Sequence, residues 1–247
     1  MAQTEKHVWI TGCSRGIGLS AAQRFLSEGW RVTGTHHRTP LPEELLRSPH
    51  FEGIQVDLSD IDALSSILKP QLTSPAPDVL INNAGLFTDA SILSDDDDWL
   101  SVWHKTMQVN LLSASLLCKW YISEKAGSGS PGIILNIASR AAYRGDTEEY
   151  AAYAASKGGL TAFTKSIARG YSHKGIAAYT IAPGFVETDM ARDAIALHGP
   201  EIVTHDSVLD TITQPDDVTE LLLFLAQGTL RAATGSTFHI NAGSYMI

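Results

Sequence analysis

The chain has 247 residues, of which 44% are hydrophobic and 18% charged, and its formal net charge at pH 7 is −9. Its length and composition fit a single globular α/β domain. The acidic charge disfavours a nucleic-acid-binding function, because phosphate recognition needs clustered lysines and arginines. Two cysteines provide no disulfide framework. The N-terminal segment has no signal-peptide pattern and no apolar run approaches a membrane span, so we expect a cytoplasmic protein.

Segments typical of strands and helices alternate along the chain. The predicted strands are, in chain order, 7–11, 31–35, 53–56, 78–81, 132–138, 176–181 and 236–240. Helical periodicity lies between them at 17–28, 41–47, 60–72, 95–125, 150–172 and 214–227. Because the strands are almost continuously apolar, this pattern predicts a parallel sheet covered by helices on both faces.

The alternation runs through residues 1–247 without a linker or an internal repeat. We therefore predict an α/β fold in a single Rossmann-type domain with about seven parallel strands. The segment 185–213 is polar and uneven, and it separates the last two core elements. Long segments of this kind often cover a binding site, so we predict that it forms a substrate lid.

A glycine-rich turn directly follows the first predicted strand. Its spacing is Gly-x-x-x-Gly-x-Gly, which differs from the common Gly-x-Gly-x-x-Gly fingerprint. Glycines permit a tight turn, and the next helix presents its amide groups and positive dipole end to a pyrophosphate. This placement predicts a nucleotide site rather than an ordinary turn. The predicted contacts are Gly12, Ser14, Arg15, Gly16, Ile17 and Gly18.

The end of the second predicted strand bears on the choice between NAD and NADP. An acidic residue there binds the ribose 2′-hydroxyl of NAD, whereas a basic residue accommodates the 2′-phosphate of NADP. The chain has His36, His37 and Arg38 at this point and no carboxylate, and Arg15 can reach the same place. We predict NADP(H) over NAD(H); the alternative is a solvated loop. No metal is predicted, because adjacent strand residues point to opposite sides and no Cys or carboxylate cluster completes a site.

A tyrosine and a lysine lie four residues apart in an alanine-rich helical segment. Tyr153 and Lys157 would project from the same face of that helix. A free phenol, with a pKa of about 10, exchanges protons poorly at neutral pH unless a positive charge stabilises the phenolate. Chance also supplies this spacing, but with the glycine turn it predicts a tuned acid. Tyr150, seven residues from Lys157, is predicted to be a substrate-pocket or packing residue.

Six short motifs occur in a fixed order between residues 11 and 184. They are Thr11-Gly-x-x-x-Gly16-x-Gly18, Asn82-Asn83-Ala84-Gly85, Asn110, Ser139, Tyr153-x-x-x-Lys157 and Pro183-Gly184. Together they resemble the motifs of the short-chain dehydrogenase/reductase family, and the segment from Thr234 to Gly243 is similar to the family's last strand. Within the family, the chain is most similar to carbonyl reductases related to bacterial 3-oxoacyl-carrier-protein reductase.

The resemblance implies roles for four catalytic residues. Tyr153 would be the general acid in reduction and the general base in oxidation. Lys157 would lower the pKa of that phenol and hold the nicotinamide ribose. Ser139 would hydrogen-bond the substrate oxygen, and Asn110 would hold a water that links Lys157 to solvent. From the residues alone, Ser139 could instead cap a helix or turn, and Asn110 could be a buried polar residue bonded to backbone.

The resemblance also implies further cofactor contacts. Asp57 would contact the adenine, while Val186 and Thr188 would bind the nicotinamide carboxamide. The fourth strand ends where the backbone would approach the cofactor. The remaining implied contacts are Leu58, Asn83, Ala84, Gly85, Pro183 and Gly184.

These residues predict an NADP(H)-dependent oxidoreductase that moves a hydride between nicotinamide and a carbonyl or alcohol substrate. The alternatives are an NAD-dependent alcohol dehydrogenase and a catalytically silent nucleotide-sensing protein on the same fold. Dehydratase or epimerase chemistry is disfavoured by the single-domain length. Arg140, Tyr143 and Arg144 would favour an anionic or polar substrate, unless they form a solvated loop. The resemblance implies a homotetramer or dimer, and we predict no nucleic-acid or membrane partner.

Overall fold

The computed structural model describes residues 5–199, 207–209 and 211–246. Seven parallel strands form one sheet in the order β3-β2-β1-β4-β5-β6-β7. The predicted fold class is therefore confirmed. The strands are β1 (His7–Ile10), β2 (Arg31–His36), β3 (Phe51–Gln55), β4 (Val79–Asn82), β5 (Gly132–Ile137), β6 (Ile176–Pro183) and β7 (Thr237–Ile240).

Helices connect the strands and cover the sheet. The α-helices in the described part of the chain are α1 (Gly16–Ser27), α2 (Glu43–Leu46), α3 (Ile61–Ala63), α4 (Lys69–Thr73), α5 (Asp96–Met107), α6 (Ser113–Ser128), α7 (Ala141–Arg144), α8 (Ala151–Tyr171), α9 (Asp189–His198) and α10 (Pro215–Ala226). Single π-helical segments, Leu64–Leu68 and Gln108–Leu112, join α3 to α4 and α5 to α6.

Two apolar layers lie on opposite faces of the sheet, because successive strand side chains point in opposite directions. Val8 and Ile10 of β1 belong to the layer formed with α1 and α10. Trp9 between them belongs to the other layer, with α4, α6 and α8. This arrangement explains why the strands read as continuous apolar runs in the sequence.

The order of the strands places a crevice at the carboxyl ends of β1 and β4. The chain moves outward from β1 through β2 to β3, and then returns to pair β4 with the other side of β1. Ligands of open α/β sheets bind at such a reversal point. The glycine turn follows β1, and Ser139 and Gly184 follow β5 and β6 at the same edge.

Several elements differ from the sequence prediction. The predicted helix 60–72 contains the Leu64–Leu68 π segment, and the predicted helix 95–125 contains Gln108–Leu112 and continues to Ser128. Helices α7 and α9 were not predicted, because each is short or lacks a strong apolar repeat. Within the predicted lid 185–213, residues 200–206 and 210 lie outside the described residues. No helix in the described part of the chain is long and apolar enough to cross a membrane.

Candidate active site

The glycine turn after β1 is packed tightly against the backbone. Gly12 has a φ of +76° and Gly16 a φ of +57°, a region that disfavours side chains. A Cβ atom added to Gly18 would lie 2.0 Å from the carbonyl oxygen of Gly12. Gly18 therefore packs against the backbone of the turn and does not line the cavity, whereas Gly12 and Gly16 do.

The first turn of α1 is open to an anion. Arg15 is the N-cap residue, and its side chain makes no capping hydrogen bond. No acidic residue lies in the first turn, so the positive end of the helix dipole is not neutralised there. Ser14, Gly16 and Ile17 line the cavity at this point. The N-terminal amide groups of α1 and the glycine backbone fit the pyrophosphate of a dinucleotide.

Asn83 holds the glycine turn against the end of β4. Its side-chain Nδ2 donates to the carbonyl oxygens of Thr11 at 2.9 Å and Gly12 at 3.2 Å. The Thr11 hydroxyl accepts hydrogen bonds from the backbone N–H groups of Asn83 and Ala84, each at 3.0 Å. Asn83 and Ala84 thus fix the two loops relative to each other, and both also line the cavity.

Ser139 and Tyr153 meet at the end of the cavity away from β2. Their hydroxyl groups are close enough for Ser139 to lower the pKa of the phenol, and the Ser139 hydroxyl accepts a bond from the N–H of Ala141 at 3.1 Å. Burial raises the pKa of Tyr153 to about 12, and the Ser139 hydroxyl offsets only part of that rise. The resemblance implied that Lys157 lowers the pKa of Tyr153, but the dominant effect on this pKa is the increase caused by burial.

Lys157 lies on the same helix face as Tyr153, with its Nζ atom 5.8 Å from the centroid of the tyrosine ring. The ammonium group donates to the carbonyl oxygen of Ile137 at 2.8 Å. Its side chain is buried, and burial lowers its pKa to about 8. Gly85 allows the close approach, because a Cβ atom there would lie 3.3 Å from Nζ.

Asn110 sits in the π-helical segment between α5 and α6. Its Oδ1 accepts a bond from the N–H of Leu86 at 2.7 Å. Its Nδ2 donates to the carbonyl oxygen of Leu86 at 2.9 Å and to the Ser156 hydroxyl at 3.0 Å. The side-chain amide thus bonds the backbone beside Gly85, which is the alternative use that the sequence left open. Its implied role in holding a water stays a prediction.

One cavity of about 540 Å³ connects the glycine turn to the Ser139–Tyr153 pair. Every predicted site residue lines this cavity except Gly18 and Asn110. Gly18 packs against the glycine turn, and Asn110 bonds the backbone of Leu86. The predicted residues that line the cavity are Gly12, Ser14, Arg15, Gly16, Ile17, His36, His37, Arg38, Asp57, Leu58, Asn83, Ala84, Gly85, Ser139, Tyr153, Lys157, Pro183, Gly184, Val186 and Thr188.

The basic residues at the end of β2 and directly after it lie at the opposite end of the cavity. His36 Nδ1 is 3.1 Å from the carbonyl oxygen of Thr39, and His37 Nε2 is 3.4 Å from Asp57 Oδ2. Burial alone would raise the pKa of Asp57, but hydrogen bonds from Ser59 outweigh it and, with His37 nearby, lower the pKa. Asp57 thus places a carboxylate beside His37, and it comes from the segment after β3 rather than from β2.

Arg15 reaches across the cavity mouth rather than along it. Its Nη1 atom lies 3.5 Å from Asp189 Oδ2, at the first residue of α9. Both side chains are largely exposed, so this ion pair contributes little to stability. It nevertheless connects the glycine turn to the first helix of the predicted lid.

Aromatic side chains from two segments that the sequence associates with substrate selection, 86–93 and 185–213, wall the end of the cavity that holds Ser139 and Tyr153. Phe87 packs edge-on against Tyr153, with ring centroids 4.9 Å apart, and stacks on Tyr150 at 3.9 Å. Phe185 packs under Arg140. Their positions directly after the Asn83–Gly85 and Pro183–Gly184 motifs were the available signal. Other lining residues that were not predicted include Thr35, Val56, Lys105, Val109 and Asp146.

Among residues 5–199, 207–209 and 211–246, no three His, Cys, Asp or Glu side chains are grouped so that they could hold a metal ion. The Asp95–Asp98 run forms the capped start of α5, where the Asp95 side chain accepts from the N–H of Asp98 at 3.0 Å. Acidic residues there are stabilised by the helix dipole.

Comparison with known proteins identifies the family. A sequence model described as short chain dehydrogenase matches residues 6–196. The chain belongs to the short-chain dehydrogenase family. It is therefore related to a family of oxidoreductases, and the resemblance inferred from the motifs is confirmed.

Individual relatives cover almost the whole chain. The chain is 30% identical to a 3-oxoacyl-[acyl-carrier-protein] reductase of Salmonella typhimurium, over 96% of each protein. Its fold is similar to that of a 4-hydroxyisoleucine dehydrogenase complexed with NADH, with a TM-score of 0.89, 27% identity and coverage of 97% and 98%. It is also similar to a putative 2-deoxy-d-gluconate 3-dehydrogenase from Agrobacterium tumefaciens with bound NADP, with a TM-score of 0.85, 25% identity and coverage of 98% and 97%.

Proposed function

We propose that this protein is an NADP(H)-dependent oxidoreductase that interconverts a carbonyl compound and its alcohol. The observation that carries the proposal is that Ser139, Tyr153 and Lys157 line the same cavity as the glycine turn. A bound reduced nicotinamide would supply a hydride to the carbonyl carbon. The protein's task is then to orient the substrate and to provide a proton.

Tyr153 is the group we assign to proton transfer. In reduction, the carbonyl oxygen gains negative charge as its carbon accepts the hydride, and the phenol O–H donates a proton to that oxygen. Because the pKa of Tyr153 is raised to about 12, the phenol is protonated at neutral pH, as a proton donor must be. Ser139 offers a second hydroxyl to the same oxygen. Proton uptake from solvent restores the phenol after turnover.

Lys157 supplies positive charge beside the reacting centre. Its ammonium is buried, so its field on the developing alkoxide is screened less than in water. The bond to the Ile137 carbonyl fixes the position of Nζ. Lys157 is therefore proposed to stabilise the charged transition state and to orient the cofactor ribose.

The preference for NADP(H) is proposed from the residues after β2. His36, His37 and Arg38 line the cavity end without a carboxylate from β2 itself. A 2′-phosphate carries negative charge that these side chains would bind, whereas NAD has only a hydroxyl there. The structural relatives include both an NADH and an NADP complex, so the local side chains carry this argument.

The predicted substrate lid is supported by the position of α9. Thr188 caps this helix through its side chain, and Asp189 contacts Arg15 of the glycine turn. A segment tied to the cofactor loop in this way is well placed to cover a bound substrate. We propose that residues 185–213 act as this lid within a single domain of residues 1–247.

The predicted homo-oligomer also stays a proposal. A shallow groove on α5, α6 and α8 is lined by Met107, Leu111, Leu112 and Phe163, and the Leu112 side chain is exposed. Apolar surface of this kind is typical of contacts between copies of a chain.

A substrate panel tests the proposed function. Aldehydes, ketones and the corresponding alcohols are incubated with NADPH or NADH, or with the oxidised forms, while nicotinamide absorbance is followed. We expect turnover of at least one carbonyl compound with a higher kcat/KM for NADPH. Tight NADPH binding without turnover of any compound would instead favour the nucleotide-sensing alternative.

A further inference from the structure

Two arginines follow Ser139 and line the catalytic end of the cavity. Arg140 is only 5% exposed, and its backbone N–H donates to the carbonyl oxygen of Pro183 at 2.9 Å. Its guanidinium carbon lies 4.9 Å from the ring centroid of Phe185. A loop arginine that is buried and stacked in this way is not a solvated surface charge. The solvated-loop alternative therefore does not describe Arg140.

The position of Arg140 is suited to recognition of an anion. The guanidinium lies over the Phe185 ring, and its five N–H donors lie in one plane. Those donors match the two oxygens of a carboxylate, and such bonds are strengthened where water is excluded. Arg140 follows Ser139 directly in the chain, so an anion bound by it would lie near the reacting carbonyl.

The short helix α7 brings a second arginine to the same wall. It ends at Arg144 and is followed by Gly145, whose φ is +76°, and Arg144 and Asp146 on either side of this glycine both line the cavity. Burial raises the pKa of Asp146, while the N–H of Thr147 and the charges of Arg144 and Arg140 act against that rise. Two cationic groups and one carboxyl group therefore share this wall, in a protein whose net charge is −9.

The remaining walls of this end are apolar and close together. Phe87 packs edge-on against Tyr153, and Phe185 supports Arg140 from the other side. A substrate placed between them would present its carbonyl to the Tyr153 and Ser139 hydroxyls. A short carbon chain would then bring a second, charged group to the arginines.

We propose that the substrate is a small oxo acid or hydroxy acid whose carboxylate is bound by Arg140 and Arg144. This assignment rests on the proposed oxidoreductase function and adds the substrate class to it. An uncharged ketone or thioester would gain no ionic contact from the two arginines, so the assignment predicts a preference for acids over neutral carbonyl compounds.

Matched substrate pairs test the assignment. Oxo acids of graded chain length and their methyl esters are compared with NADPH as cofactor. The proteins are the wild type, Arg144→Gln, Arg140→Gln, and Arg169→Gln as a control that removes an exposed positive charge from the far part of α8. NADPH affinity is measured for each protein to show that the cofactor site is intact.

We expect the wild type to prefer an acid over its ester by about tenfold or more in kcat/KM, the size of a charge-assisted hydrogen bond. Arg144→Gln should lower the acid-to-ester ratio of kcat/KM toward one, because the KM for the acid rises. Arg169→Gln should leave this ratio unchanged. Arg144 lies at the rim, so its variant remains informative if Arg140→Gln fails to fold. Equal or better turnover of esters by the wild type would overturn the assignment while leaving the oxidoreductase function intact. Turnover of neither member of any pair, nor of any other carbonyl compound, would contradict the proposed function itself.

Discussion

The ammonium nitrogen of Lys157 donates a hydrogen bond to the carbonyl oxygen of Ile137, at 2.8 Å. This bond joins α8, which carries Tyr153, to the end of β5, which leads into Ser139. It also holds a positive charge in a buried position, where desolvation lowers the pKa to about 8. The same group therefore connects α8 to β5 and makes the stability of the fold depend on pH.

Replacing Lys157 with Met should change how stability depends on pH. The folded pKa of about 8 lies below the unfolded value of 10.5, so between these pH values the unfolded chain binds more protons than the folded one. Lys157 therefore adds stability as pH rises through this range, by on the order of 3 kcal/mol. We expect the stability of Lys157→Met, relative to wild type, to be highest below pH 8 and to decline by pH 10.5.

Urea unfolding at several pH values measures this difference. Comparison with the wild type is necessary, because other buried groups also make the stability of the protein depend on pH in this range. Burial raises the pKa of Cys13 and Cys118, so their contribution to stability falls as the pH rises. Burial lowers the pKa of Lys125, which has the opposite effect. These groups are common to both proteins and cancel in the difference. A stability difference that is constant from pH 7 to 10.5 would show that Lys157 is not desolvated as described.

A buried pair of polar side chains fixes α8 against β5 further along the helix. Asn136 Nδ2 donates to the Thr164 hydroxyl at 2.8 Å, and neither residue is exposed. Thr164→Val should leave the buried amide of Asn136 without this partner and destabilise the protein by about 1–3 kcal/mol. Thermal or urea unfolding provides the measurement.

Thr180 is the matched control for that substitution. It is also fully buried, on β6, but its hydroxyl has no hydrogen-bond partner among the described residues. Thr180→Val should therefore be neutral or stabilising, since it removes an unsatisfied polar atom. Equal destabilisation by the two variants would mean that the Asn136–Thr164 bond contributes nothing specific.

The strands and the motif residues could be predicted from the sequence because each leaves a local signal. Continuous apolar runs identify a sheet buried on both faces, as Val8 and Trp9 facing opposite layers illustrate. The π-helical segment around Asn110 could not be predicted, since its residues also suit an α-helix. Phe87 and Phe185 lie beside sequence motifs, but the packing of their rings against Tyr153 and Arg140 depends on distant segments, which no local pattern reports.

Gly18→Ala should disrupt the glycine turn. The added Cβ atom would lie 2.0 Å from the Gly12 carbonyl oxygen, so the backbone would have to move. We expect NADPH affinity to fall by about tenfold or more, measured by titration. Gly170→Ala is the control, because no atom lies within 4 Å of the added carbon and the glycine is in α8, where alanine is favoured. Unchanged affinity in Gly18→Ala would contradict the tight packing of this turn.

Arg38→Gln should reduce the preference for NADPH. We expect a loss of about tenfold in NADPH affinity with little change for NADH, because only NADPH offers a 2′-phosphate. Arg47→Gln removes an equally exposed charge that pairs with Glu43 on α2 and should change neither affinity. Parallel loss of both cofactors in Arg38→Gln, or a wild type that binds them equally, would refute the proposed phosphate contact.

Tyr153 is proposed to donate the proton, and a pair of tyrosine variants tests this role. Tyr153→Phe and Tyr150→Phe each remove one hydroxyl from neighbouring tyrosines, and both retain the aromatic packing against Phe87. Turnover of a carbonyl substrate and NADPH affinity are measured for both. We predict that Tyr153→Phe lowers kcat by about 100-fold or more with NADPH affinity retained, while Tyr150→Phe keeps most of its turnover. Wild-type turnover in Tyr153→Phe would show that a group other than the Tyr153 hydroxyl donates the proton.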